Sequence, residues 1–341
     1  MMALTDVFTD VVGSLRVRTP EEAVDLQLPI ELDFNSDGQG YCFVHEDANL
    51  PFLLDCEQRP LLPQITVEEP GEDRRHRIVK LRAKLKDAIE PSQSLTDQWY
   101  ESAAKRWKDE GGDLERLKLI HPLPLMVLNT FTIQSVQDVY GDAPDELLWD
   151  IEEQLILPRL EYHRGKYPLK YFQGDDVAIF DGDIHSVSLI NEEFSVIEDM
   201  SKRCQEWDIK FACYAPDVPP PSKPMPDPVK PARIRQKLLS VPGIVSWMFF
   251  YEGEKEEDFE KKLRFTRRHK GEDVILALGL LEPNKKYREE DINIASAKLK
   301  RAIEFLGLRM FHISPMVGFK GVESSVAENQ MQTMVHLKSI A

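Results

Sequence analysis

Two aspartates one residue apart, Asp181 and Asp183, follow a short apolar run, Val177-Ala-Ile-Phe180. Two carboxylates delivered to the end of a strand can share a divalent cation, and that cation can neutralise the charge developing on a diphosphate leaving group. The chemistry that such a pair would do is metal-dependent group transfer. The same Asp181-Gly182-Asp183 also suits a tight hairpin, because Asp and Gly tolerate the positive φ that such turns require. Just upstream, Gly174-Asp175-Asp176 places two more carboxylates beside a glycine, and His185 follows Asp183 by two.

Three families share these fragments. Val177-Ala-Ile-Phe-Asp181-Gly-Asp183 resembles the Asp-x-Asp of sugar-nucleotide glycosyltransferases, which implies a metal at Asp181 and Asp183. Only about 50 residues separate Leu125 from Asp181, short for the nucleotide-binding half of such an enzyme. Gly174-Asp175-Asp176 resembles the metal-binding turn of RNA-dependent polymerases, without their additional carboxylates or basic cradle. Asp183-Ile184-His185 resembles the entry motif of metallophosphoesterases, but their later Gly-Asp-x-x-Asp and Gly-Asn-His do not follow. No nucleophile elbow, His-Glu-x-x-His, Gly-x-Gly-x-x-Gly or phosphate loop occurs. No complete catalytic motif stands in the chain, and no cofactor is expected.

Charge narrows the partners. The 341 residues carry 59 acidic against 43 basic side chains, a formal charge of -16, which repels a phosphate backbone and an anionic membrane. Arg264, Arg267 and Arg268, with His269 and Lys270, form the one notable basic cluster; it suits either a phosphate or partner contact or the C-terminal end of a helix. No apolar run approaches the ~20 residues of a membrane span. Met1 to Leu15 lacks a basic leader region, and Cys42, Cys56, Cys204 and Cys213 show no paired spacing, so they read as reduced thiols packed in cores. A cytoplasmic or nuclear protein is expected.

The elements that would position these groups are clearest at the end of the chain. Apolar runs at 244–251, 274–281 and 308–313 alternate with amphipathic helices at 254–269 and 288–306, which predicts a parallel sheet with right-handed crossovers. A further helix is expected at 232–240. Upstream, the patterns predict a small sheet or hairpin within 33–44, a helix from Arg77 to Ile89 and a helix carrying Trp99, Ala103 and Trp107. They also predict strands at 123–128, 177–180, 186–190 and 208–214, and a helix from Asp142 that Pro158 closes. Eight prolines between Pro216 and Pro231, Pro219, Pro220 and Pro221 among them, make an extended segment that is either a connector or a docking peptide. The expected architecture is α/β, with a mixed α+β region over 1–118 and an α/β domain over 119–341 that a proline-rich loop at 215–232 interrupts.

The order of elements over 243–318 resembles the second half of a Ras-like small GTPase. Gly243 to Tyr251, Val274 to Leu281 and Leu308 to Gly318 stand where that family has its later strands. The guanine-reading Asn-Lys-x-Asp is replaced by Gly279-Leu280-Leu281-Glu282, and the Ser-Ala-Lys position reads Ser314-Pro315-Met316, so the resemblance implies a nucleotide-free version. Large apolar residues such as Trp99, Trp107, Trp247 and Phe249, with no assembled catalytic groups, lead to the expectation of a non-enzymatic interaction or scaffold subunit that binds other proteins or itself. The alternatives are a metal-dependent transferase using Asp181 and Asp183, and a viral or organellar structural subunit.

Overall fold

The computed structural model describes residues 6–11, 15, 17–37, 50–69, 77–180, 187–215, 229–248, 256–282, 284–315 and 322–341. Its first strands, β1 (Asp6–Thr9) and β2 (Asn35–Ser36), precede an antiparallel pair, β3 (Ile65–Glu68) and β4 (Ile78–Leu81). Six more strands follow: β5 (Leu117–Pro122), β6 (Tyr171–Asp175), β7 (Lys210–Tyr214), β8 (Gly243–Met248), β9 (Val274–Leu281) and β10 (Met310–Pro315). Apart from β3 and β4, these strands form one parallel sheet in the order β1-β10-β9-β8-β7-β6-β5-β2. The two ends of that order also meet. Phe34 N donates to Thr9 O at 3.0 Å and Val11 N donates to Phe34 O at 3.2 Å, around a parallel bridge between Asp10 and Phe34. The sheet closes on itself with its strands in chain order, which makes it an eight-stranded parallel α/β barrel.

Parallel neighbours need a crossover between them, and helices supply it. α1 (Pro20–Gln27) follows β1, and α2 (Leu95–Asp109) follows the antiparallel pair. Four helices separate β5 from β6: α3 (Pro124–Leu128), α4 (Ile133–Tyr140), α5 (Pro144–Ile151) and α6 (Leu157–Lys166). Then α7 (Val187–Glu206), α8 (Val229–Leu238), α9 (Glu256–His269), α10 (Glu289–Leu306) and α11 (Ser324–Ile340) each follow one of the remaining strands. Local signals set the ends: the Ser94 side chain accepts from Asp97 N to start α2, and Gly307 at φ 63° ends α10 in the left-handed conformation.

Buried apolar side chains fall into two sets. The large one lies between the sheet and the helices; the small one, Phe34, Tyr171, Ala212, Ile244 and Ala277, fills part of the barrel's interior. β8 to β10 are covered on both faces, which is why their apolar runs are nearly continuous.

The last third of the chain matches expectation, with α9, β9, α10 and β10 close to their predicted bounds. Upstream the differences are systematic. Residues 123–128 form α3, not a strand, because Pro124 is preset for the first helical turn, and the strand is the preceding 117–122. Val177–Phe180 is a 3-10 turn and 187–190 begins α7; the strand there is Tyr171–Asp175. The helix expected from Arg77 is β4 at its start. Pro158 does not close a helix: α5 runs through a π-helical turn at Glu152–Ile156 into α6, with Pro158 in the first turn of α6. β1 and β2, from the first 118 residues, share one sheet with the six strands after them. The Ras-like arrangement is also corrected, because β-α-β-α-β order is common to open and closed parallel sheets, and here the ring closes through Thr9 and Phe34.

Candidate active site at the carboxyl end of the barrel

Side chains alternate along a strand, so Tyr171, Gln173 and Asp175 of β6 share the face that looks into the barrel. Lys118 enters from β5, Asp10 from the end of β1 and His312 from β10, and all three are sealed from solvent. Lys118 Nζ donates to Asp10 Oδ1 at 2.5 Å, to Gln173 Oε1 at 2.7 Å and to the carbonyl of Val11. An ammonium has three protons to donate, and all three are engaged. Tyr171 OH donates to Asp10 Oδ2 at 2.5 Å, and His312 Nδ1 lies 3.1 Å from the same oxygen. Burial alone pushes the Asp10 carboxyl up, but the Lys118 charge, helped by His312, outweighs it and holds Asp10 well below the usual carboxylate range. Burial and the neighbouring Asp10 push the Tyr171 phenol well up, so it stays a neutral donor.

The network ends at the carboxyl end of β6. Gln173, its oxygen taken by Lys118, donates through Nε2 to Asp175 Oδ1 at 2.7 Å. Asp175 is partly exposed. Its surroundings of protein push its pKa up to about 7, against the smaller opposing effects of the Gln173 bond and the Lys118 charge. A carboxyl titrating near neutrality at the carboxyl end of a barrel strand can take or give a proton under physiological conditions. Gly174 gives the local reason for its placement. A β-carbon there would come within 2.4 Å of the Leu123 side chain, which packs behind β6.

Two hydroxyls face the same interior. Ser246 lies two residues after Ile244 on β8 and Ser314 two residues after His312 on β10, each on the inward face of its strand. Both are buried, and neither Oγ has a hydrogen-bond partner. An unsatisfied buried hydroxyl costs about 1–3 kcal/mol, so such groups are retained where something else binds them. Among the described residues, no group of three or more His, Cys, Asp or Glu has the arrangement to hold a metal ion.

Behind the barrel wall, two further polar clusters hold these strands in place. His121 faces outward from β5, where Asp97 of α2 meets Arg159 and His163 of α6. Arg159 Nε donates to Asp97 Oδ2 at 2.7 Å, His163 Nε2 lies 2.7 Å from Oδ1, and the guanidinium stacks 3.6 Å from the Phe52 ring. Burial pushes the His121 imidazole down to about 3, so it is neutral, and Asp97 is held low because Arg159, His163 and His121 outweigh its own burial. The second cluster lies against the π-helical turn. Glu152 is pushed up to about 8, first by burial and then by Asp199, and Glu193, which accepts from Leu125 N at 3.1 Å, is pushed well above its usual range by burial. Between pH 4.5 and 8 the folded protein therefore holds a proton at Glu152 that the unfolded chain has released, and stability falls as pH rises through that window. Glu152→Gln should remove that fall and stabilise the protein at pH 8 by about 1–3 kcal/mol, read from urea midpoints at pH 5 and pH 8.

The residues singled out in the sequence are mostly elsewhere. Asp181 and Asp183 lie outside the described residues, as do Pro219, Pro220 and Pro221. Arg264, Arg267 and Arg268 are exposed on α9; Arg264 pairs with Glu260 at 3.7 Å and Arg267 sits 5.3 Å over the Phe305 ring, outside the barrel wall. Cys204 and Cys213 are buried thiols as expected, Cys56 is exposed instead of packed in a core, and Cys42 is outside the described residues. No helix among the described residues is long and apolar enough to cross a membrane. Lys118, Gln173 and Ser246 carry no local signal in the sequence, Ser314 stands there only at the Ser-Ala-Lys position of the Ras-like resemblance, and Asp175 only within the polymerase-like fragment.

No model of a protein family matches the sequence, and comparison with curated proteins finds no match. Solved structures do match the fold. A protein of Listeria monocytogenes assigned as a vitamin-B12-independent methionine synthase superposes with a TM-score of 0.63 at 16% identity, over 98% of this chain and 98% of that one. A B12-independent methionine synthase of Shewanella sp. W3-18-1, solved with selenomethionine, gives a TM-score of 0.56 at 11% identity, over 97% of this chain and 96% of that one. The likeness runs the length of the chain and replaces the Ras-like resemblance. The scaffold and structural-subunit readings, which rested on an absence of gathered charged groups, are corrected as well: the two matching structures are assigned as methionine synthases, and the barrel here gathers Asp10, Lys118 and His312 inside it, with Asp175 at the end of β6.

Proposed function

We propose that the chain is an enzyme that works at the carboxyl end of its barrel, with Asp175 as a general base toward a small polar substrate. The observation that carries this is a carboxyl held near pH 7 at the end of β6. Gln173 already donates to Oδ1, which leaves Oδ2 to receive the substrate's proton. Lys118 fixes Gln173, and Asp10 with Tyr171 and His312 fixes Lys118, so the base is oriented from below by a network with no spare donor on the lysine. Ser246 and Ser314 supply hydrogen bonds that a substrate's carboxylate, amine or hydroxyl can complete.

The structural neighbours support an amino acid as the first substrate class to try, since both are assigned as methionine synthases and one was solved with selenomethionine. Calorimetric titration of the full chain with methionine and selenomethionine, beside simple amino acids and small dicarboxylates, tests this. One of these classes should bind, and Ser246→Ala and Ser314→Ala should each weaken that binding by about tenfold. Binding unaffected by both substitutions would remove the serines from the site.

A further inference from the structure

The other end of the barrel, where the strands begin, holds a cavity. It measures about 620 Å³ and is lined by Lys210 at the start of β7, Gly243 at the start of β8, Met310 at the start of β10 and Phe8 and Ile275 near the starts of β1 and β9. Its volume falls within the roughly 300–1,000 Å³ of small-molecule sites. The floor is aromatic: Phe8 and Phe34 have centroids 5.9 Å apart, and His312 stacks on Phe34 at 5.4 Å with the planes 5° apart. Ile244 and Ile275 complete the apolar wall, and Met310 is 41% exposed at the rim.

Charge at the rim points to the kind of molecule that fits. Of the four lining carboxylates, Asp33 is engaged by Lys338 at 2.7 Å, Asp208 by Lys170 at 2.5 Å and Asp113 by Arg116 at 3.9 Å, and Glu115 is the fourth. Lys210, exposed at the rim, holds its ammonium over the rings of Phe8 and Phe34, 5.0 and 4.8 Å from their centroids. A cation over an aromatic pair occupies the place of a ring and offers a charge to whatever replaces it. We propose that this cavity is a second binding site, at the opposite end of the barrel from Asp175, for a small aromatic carboxylate whose ring packs on Phe8 and Phe34 and whose carboxylate is taken by Lys210. An organic cation would have to displace Lys210 and leave it beside a like charge. A carboxylate converts the same lysine into a charge-assisted partner.

The test uses phenylacetate as probe and phenethylamine as the matched cation, titrated into the full chain with methyl-labelled isoleucine and methionine and followed by NMR. Phenylacetate should shift the methyls of Ile244, Ile275 and Met310 saturably at millimolar or lower concentration, and phenethylamine should bind at least about tenfold more weakly. Lys210→Met should weaken phenylacetate by about tenfold while Lys210→Arg keeps it, and since Lys210 is exposed both variants are expected to fold. The proposal is overturned if these methyls do not respond, if phenethylamine binds as well as phenylacetate, or if Lys210→Met leaves the affinity unchanged.

Discussion

Asp175→Asn should lower turnover of any substrate this barrel processes by about 10²–10⁴-fold, the range over which a positioned general base contributes. Asparagine keeps the shape of the side chain and its place beside Gln173, but it cannot accept the proton. The loss should fall on kcat and leave KM nearly unchanged. In the parent protein, kcat/KM should rise with pH through an inflection near 7, because the base is active only once ionised and burial has raised its pKa to about that value. The asparagine variant should show no such inflection. A profile that falls with rising pH through 7, or a variant with full activity, would assign the proton transfer to another group.

Lys118→Met should destabilise the fold by about 3–5 kcal/mol, the cost of leaving a buried charge without its partner. Lys118 Nζ is the counter-charge of Asp10 and the donor to Gln173 Oε1, and both partners are nearly sealed from solvent. The effect carries a pH signature. In the parent, Asp10 is held below its ordinary 3.8, so its contribution is present above that value and is lost as pH falls below it. Without the lysine, burial dominates, the Asp10 carboxyl moves up, and the variant should lose least at acid pH and most near neutrality. Adding Asp10→Asn should recover a large part of the loss, since the remaining interior carries no isolated charge. Urea unfolding of the single and double variants at pH 4.5 and pH 7 measures both effects. A Lys118→Met protein as stable as the parent at pH 7 would mean that the ion pair does not hold the barrel together.

The parts of the fold that were readable in the sequence, and the parts that were not, divide by what the barrel's interior demands of each strand. β9 reads as Val-Ile-Leu-Ala-Leu-Gly-Leu-Leu because helices cover one face and the barrel interior the other, so an apolar run marks it accurately. β5 and β6 carry the polar centre. Lys118 and His121 break up β5, and Gln173, Gly174 and Asp175 break up β6, so the apolar criterion selects the next segments instead: 123–128, which is α3, and 177–180, which is a 3-10 turn. The strands that hold the candidate chemistry were therefore the ones least visible. β2, two residues long, gives almost no signal, yet the bonds around Phe34 close the ring. The site itself joins residues as far apart as Asp10 and His312, separated by 302 positions, and no local spacing reports such a contact. Gly174-Asp175-Asp176, which resembles a polymerase metal turn without its additional carboxylates, lies at the end of β6, where Asp175 stands without a metal-holding group around it among the described residues.

A general base at this position requires Asp175 to be a carboxyl that titrates near neutrality within a structured barrel. Carbon-13 NMR of the full chain with labelled aspartate, assigned at this position by the resonance lost in Asp175→Asn, reads that directly across pH 4 to 9. A midpoint near 7 is expected, with Asp10 and Asp97 remaining ionised throughout. A midpoint near the ordinary aspartate value of 3.8 would show a plain solvated carboxylate at the end of β6 and would contradict the proposed base.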